Sequence, residues 1–128
     1  MDNRQIGTYI ARSRVGLGIA LMIAPGPSLA VMFGTSANNP GARAVGRLAG
    51  IRDAVIGAGG SISIGQRAGG GDWLSMMAVC DGVDALVMLV TPGLPKRTRL
   101  FGLAAAASAV GHLFLARDLA AQEHPTPV

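Results

Sequence analysis

The sequence predicts an all-α fold, an integral membrane bundle of four antiparallel transmembrane helices. Three observations predict it. Half of the 128 residues are hydrophobic and only 14% are charged, whereas ordinary soluble domains carry about 25% charged residues. Mean hydropathy is +0.44. The apolar residues also gather into four runs, 6–24, 45–64, 73–90 and 100–119, each close to the ~20 residues that cross a bilayer. The same composition excludes disorder, which needs low hydrophobicity and high charge. One cysteine excludes a disulfide framework and a Cys-based zinc site.

The first run, 6–24, stops at Pro25-Gly26-Pro27, because proline lacks an N–H and restricts the residue before it. The polar turn Thr35-Ser36-Ala37-Asn38-Asn39-Pro40-Gly41 leads toward the second run. Ala68-Gly69-Gly70-Gly71-Asp72 is expected to be a flexible connector before the third. Thr91-Pro92-Gly93-Leu94-Pro95 ends the third run, and a short polar tail, 120–128, follows the fourth. Connections this short make neighbouring helices antiparallel, giving one domain over 1–128. A secretory signal is a rival reading of the first run, with Arg12 and Arg14 as its basic region, 15–23 as its apolar core and Ser28-Leu29-Ala30 as a cleavage site. Three further apolar runs argue against it. Val55-Ile56-Gly57-Ala58-Gly59-Gly60 hints at a dinucleotide loop, but the third glycine position holds Ile62 and no acidic residue closes a second strand.

Helices in lipid associate through small residues that let backbones approach. Gly46, Gly50, Gly57 and Gly60 in the second run, and Gly102, Ala106 and then Ala109 or Val110, with Ala107 and Gly111 beside them, in the fourth, are such faces. They predict tight crossings between the second and fourth helices or across a dimer.

The few charges lie deep. A helix from Arg14 to the break at Pro25 would span only about 17 Å at 1.5 Å per residue. The first helix must therefore begin near Asn3 or Ile6, which carries an arginine below the headgroups. Arg52 and Asp53 are central in the second run. Asp81 and Asp84 are central in the third and, three apart, share a face. Facing lipid, Arg14, Arg52, Asp53, Asp81 and Asp84 would together cost on the order of 12–18 kcal/mol. They are expected to turn inward and pair, the arginines forking onto the carboxylates. The cluster is either a staple that sets helix order or a ligand or ion site. His112 in the fourth run joins this set as a residue hydrogen-bonded inside the bundle.

Other signals are weaker. Met76, Met77, Cys80 and Met88 collect on the third run, but no second Met/Cys motif completes a copper site, and no metal site is expected. Trp73 is expected as an interfacial anchor. No nucleophilic triad or phosphate loop is present, so no enzymatic activity and no cofactor are expected. The scattered arginines form no nucleic-acid face. Positive residues tie across the two sides, five against five, unless Arg12 and Arg14 are both used inside the bundle.

An arginine in the first helix, then Gly16-x-Gly18 and Ala24-Pro25, then Gly50-Ile51-Arg52-Asp53 with Gly57, then Asp81-x-x-Asp84-Ala85, resembles a family of small four-helix integral membrane proteins common in actinobacteria and classed as a domain of unknown function. The resemblance runs from about Arg12 to His112. It implies a four-helix membrane fold and carries no activity. A looser likeness is to the DoxX-like membrane proteins.

The expected protein is a multi-pass protein of the cell membrane that acts as an oligomeric or accessory scaffold. Its partners would be the lipid bilayer and a second copy or another membrane protein. The alternative is a transporter or binder of a small polar or lipidic ligand that uses the intramembrane carboxylates. Cavity volume separates the two: a scaffold pairs its charges in a dry core, and a binder opens a pocket onto them.

Overall fold

The computed structural model describes residues 2–123. The described residues form five α-helices, not four: α1 (Asn3–Ile23), α2 (Pro25–Phe33), α3 (Pro40–Gln66), α4 (Gly70–Val90) and α5 (Lys96–Glu123). The 3-10 turn Thr35–Ala37 joins α2 to α3. The expected tail is helical as far as Glu123, and 124–128 lie outside the described residues.

The extra helix is α2. Pro25 does end α1, and its fixed φ and missing N–H suit the first turn of a new helix. A proline that stops one helix therefore starts the next. α1 opens on a capping box: Asp2 Oδ1 accepts from the Gln5 amide at 2.7 Å, and Gln5 Oε1 accepts from the Asp2 amide at 3.1 Å. Asn39 caps α3 through the Ala42 amide at 2.9 Å, and Pro40 occupies its first turn. α3 therefore begins before the expected Val45.

The expected connector at 68–72 is mostly helix. Gly69, left-handed at φ 73°, precedes α4, and Gly70 and Gly71 are buried within it. The Glu123 carboxylate accepts from the Gly69 and Gly70 amides at 3.1 and 3.3 Å, so the end of α5 caps the start of α4.

α1, α4 and α5 are long and apolar enough to cross a membrane. α3, with 27 residues, is as long but carries Arg43, Arg47, Arg52 and Asp53 and is not apolar enough by composition. α1 lies along α3 and α4 along α5, and the two pairs meet chiefly through α3 and α4. Both pairs are antiparallel: Gly7 faces Ile64 while Gly18 faces Gly50, and Gly71 faces Ala116 while Gly102 faces Met88.

Small residues make these crossings, but between other partners than expected. A Cβ on Gly18 would sit 2.5 Å from the backbone of Gly50 and Ala54, and one on Gly57 would sit 2.6 Å from the Ala11 carbonyl oxygen. Gly50 and Gly57 of α3 thus seat α1, not α5. Gly102 seats α4, and Gly111 faces open space.

The half nearer the termini holds the packed core: Ala11, Ile56, Ile64, Leu74, Met77, Ala116 and Leu119. Trp73, half-buried in the first turn of α4, packs on this core with its ring against Gly59. At the other end α2 touches α1, α3 and α5.

Candidate functional site

The charged residues meet at mid-height, where all four long helices contribute. Asp53 lies near the middle of α3, Arg14 near the middle of α1, and Asp81 and Asp84 one turn apart past the middle of α4. Arg52 forks onto Asp84, with Nη2 to Oδ2 at 2.7 Å and Nη1 to Oδ1 at 3.2 Å. Its Nε and Nη2 also donate to Asp53 Oδ1, each at 3.1 Å. Arg14 Nη1 donates to the same oxygen at 3.1 Å, and Arg14 Nη2 donates to Asp81 Oδ1. Ser108 Oγ donates to Asp81 Oδ2 at 2.7 Å.

The result is an alternating chain, Asp84–Arg52–Asp53–Arg14–Asp81, that ties α4 to α3, α1 and back to α4. Ser108 and His112 attach it to α5. Such pairing offsets the cost of removing each charge from water, and losing one partner strands the other.

His112 is buried. Its Nδ1 lies 3.2 Å from Asp81 Oδ2 but lacks hydrogen-bond alignment. It stands beside the carboxylate as a member of the cluster. Arg12 also departs from expectation. It is exposed, so only Arg14 of the two is used in the bundle. The two residues are 200° apart on a helix of 3.6 residues per turn.

The two ends of the chain of charges differ. Arg14, Asp53 and Asp81 are buried, while the Arg52 and Asp84 side chains are 35% and 33% exposed. Above them, on the α2 side, a cavity of about 510 Å³ separates the α1/α3 pair from the α4/α5 pair. Its walls are apolar (Leu21, Leu29, Met32, Phe33, Met88 and Phe101 among them), and all five charged residues of the cluster line it. The cavity is open-sided, since Leu17, Val45 and Val87 in its walls are more than half exposed.

The cavity depends on α2. Leu29 seats on Gly46, and Thr98 Oγ1 donates to the Met32 carbonyl oxygen at 2.7 Å, so α2 bridges α3 and α5 at this end. Sequence reasoning missed α2 and this wall. A Pro-Gly-Pro stop read only as a break hides a helix of nine residues. Ala104 and Ala105, whose small side chains line the cavity from α5, were missed as well. No group of three or more potential metal ligands occurs among the described residues.

Fold and site define a small helical membrane protein built around a buried Arg/Asp/His cluster. The chain matches no known protein family, no curated protein and no solved structure.

Proposed function

We propose that this protein binds a small amphipathic molecule taken laterally from the bilayer of the cell membrane, holding its apolar part under α2 and its polar group on the Arg/Asp cluster, without chemical turnover. One observation carries the reading: an open cavity of about 510 Å³ with apolar walls ends on five charged side chains. That volume suits a small-molecule site, where few polar groups orient a largely apolar ligand. A scaffold alone needs the charges paired but has no use for a chamber above them.

The reading includes four membrane crossings. Asn3 Nδ2 donates to Asp118 Oδ2 at 2.8 Å, so the start of α1 and the end of α5 lie at the same end of the bundle. If α1, α4 and α5 each cross, termini on one side require α3 to cross as well. Lipid would meet Val45, Leu48, Ile51, Val55 and Ile62 on its outer face, all exposed. The family resemblance belongs to the same proposal.

Two measurements test it. In a Cys80→Ser background, cysteines at Asp2 and Gln122 should react with an impermeant maleimide from one side of the membrane, and one at Ser36 from the other. Labelling of Ser36→Cys from the same side as both termini would rule out the crossing by α3. For the cavity, protein extracted into lipid nanodiscs should retain a stoichiometric amphiphile by mass spectrometry. An Ala49→Phe, Ala105→Phe double variant, which fills the chamber, should lose it. Equal retention by both proteins would sink the binding reading.

A further inference from the structure

We infer that the ligand of this cavity carries a positively charged, hydrogen-bond-donating head, an alkylammonium-type amphiphile, and that Asp53 Oδ2 receives it. The inference rests on the binding reading above and names its ligand class.

The first observation is the free oxygen. Both arginines converge on Asp53 Oδ1, which accepts from Arg14 Nη1, Arg52 Nε and Arg52 Nη2. Oδ2 accepts no hydrogen bond among the described residues. The Asp53 side chain is 9% exposed and lines the cavity. A buried carboxylate oxygen without a donor loses its water contacts with no return, and Oδ2 keeps some accessible surface on a residue of the chamber wall. It is open to a donor entering from the chamber.

The second observation is the charge count. Arg14 and Arg52 face Asp53, Asp81 and Asp84, which leaves one negative charge. The fully paired remainder cannot absorb it. Asp84 is forked by Arg52, and both Asp81 oxygens are occupied, by Arg14 and by Ser108. His112 stands 3.2 Å from Asp81 Oδ2, the carboxylate already held by Arg14 and Ser108, and pairs with no other carboxylate of the cluster among the described residues. At mid-bilayer depth an uncompensated charge is expensive. A cation brought by the ligand closes the count, and a carboxylate or phosphate head would widen the deficit.

The third is the shape of the site. Asp53 lines a chamber whose walls beyond the charge cluster are apolar, so a cation seated there carries an apolar body. A hydrated metal ion would leave the chamber empty.

The test uses three ligands with one chain length: decylammonium, decanol and decanoate, titrated calorimetrically into the full chain in phosphatidylcholine nanodiscs, with empty nanodiscs subtracted. Decylammonium should bind at least tenfold more tightly than decanol, and decanoate more weakly than either. Asp53→Asn should reduce decylammonium to the affinity of decanol and leave decanol unchanged. The wild-type comparison stands by itself if that variant does not fold. Saturable binding of all three ligands with equal affinity, or preference for decanoate, would overturn the cationic-head inference and leave the cavity reading intact. Saturable binding by none of them, with no difference between wild type and the Ala49→Phe, Ala105→Phe variant, would overturn both.

Discussion

The two halves of the bundle use the same four long helices and pack differently. Toward the termini, Ile64, Leu74, Met77 and Leu119 are fully buried and the helix ends are tied together. Arg4 Nη1 donates to the Ile64 carbonyl oxygen at 2.7 Å, and Glu123 caps α4. Beyond the charge cluster the same helices enclose a chamber. Two features separate the halves. Large side chains meet across the axis in the first, while Gly46, Ala49, Ala104 and Ala105 face the gap in the second. In addition, α2 bridges the second end, whereas side-chain hydrogen bonds from Asn3, Arg4 and Glu123 tie the helices at the first. In lipid no hydrophobic force collapses such a gap, so packing alone decides whether it persists. The difference teaches that the same four helices can make a packed half and an open half, with the ion-pair chain as the boundary.

The largest expected effect lies on that boundary. Arg14→Ala leaves the buried Asp81 without its cation and Asp53 with Arg52 alone, and should cost about 3–5 kcal/mol, read as a large drop in melting temperature in detergent. Arg12→Ala, two residues away on the exposed face, should cost next to nothing. Equal losses would mean that Arg12, too, has a buried partner. Arg52→Ala should fall between them because its side chain is a third exposed, and removing Asp53 with it should soften the loss.

Next comes the contrast between the halves. Leu74→Ala opens a void in the packed core and should cost about 2–5 kcal/mol. Leu29→Ala removes a wall that already faces open volume and should cost roughly half as much, since fewer contacts are lost. Similar values at the two positions would show that the chamber is as tightly filled as the core.

The helix seams give a smaller effect with opposite signs. Gly57→Ala drives a methyl against the Ala11 carbonyl and should destabilise by about 1–3 kcal/mol. Gly65, with nothing within 4 Å of an added Cβ, should gain about 0.5–1 kcal/mol on the same change. Chemical melts of the two variants run in parallel decide this, and a loss at both would mean the α1–α3 seam extends further than the backbone approach near Gly57.

The smallest is Asn3→Ala. It removes an exposed hydrogen bond to Asp118 and should cost about 0.5–1.5 kcal/mol. A larger loss would show that closure of the terminal end rests on this contact more than on the core beneath it.

Membrane residence and the inward turn of the central charges were legible in the residues alone. Apolar runs of bilayer length admit few other folds, and Arg14, Arg52, Asp53, Asp81 and Asp84 are too costly to leave in lipid, so they had to find one another. Helix partners were not legible. A stripe such as Gly50 and Gly57 announces a close approach without naming the helix that makes it, and α1 rather than α5 fills the place, its Gly18 and Ala11 letting the two backbones meet. The side of α1 on which Arg12 and Arg14 fall was equally hidden, since both lie in one apolar run and only the rotation of the helix separates them. The chamber belongs wholly to the tertiary structure. It exists because α2, started by the same Pro25 that stops α1, lies across three helices whose facing residues are small, and a volume left between surfaces has no signature in any one of them.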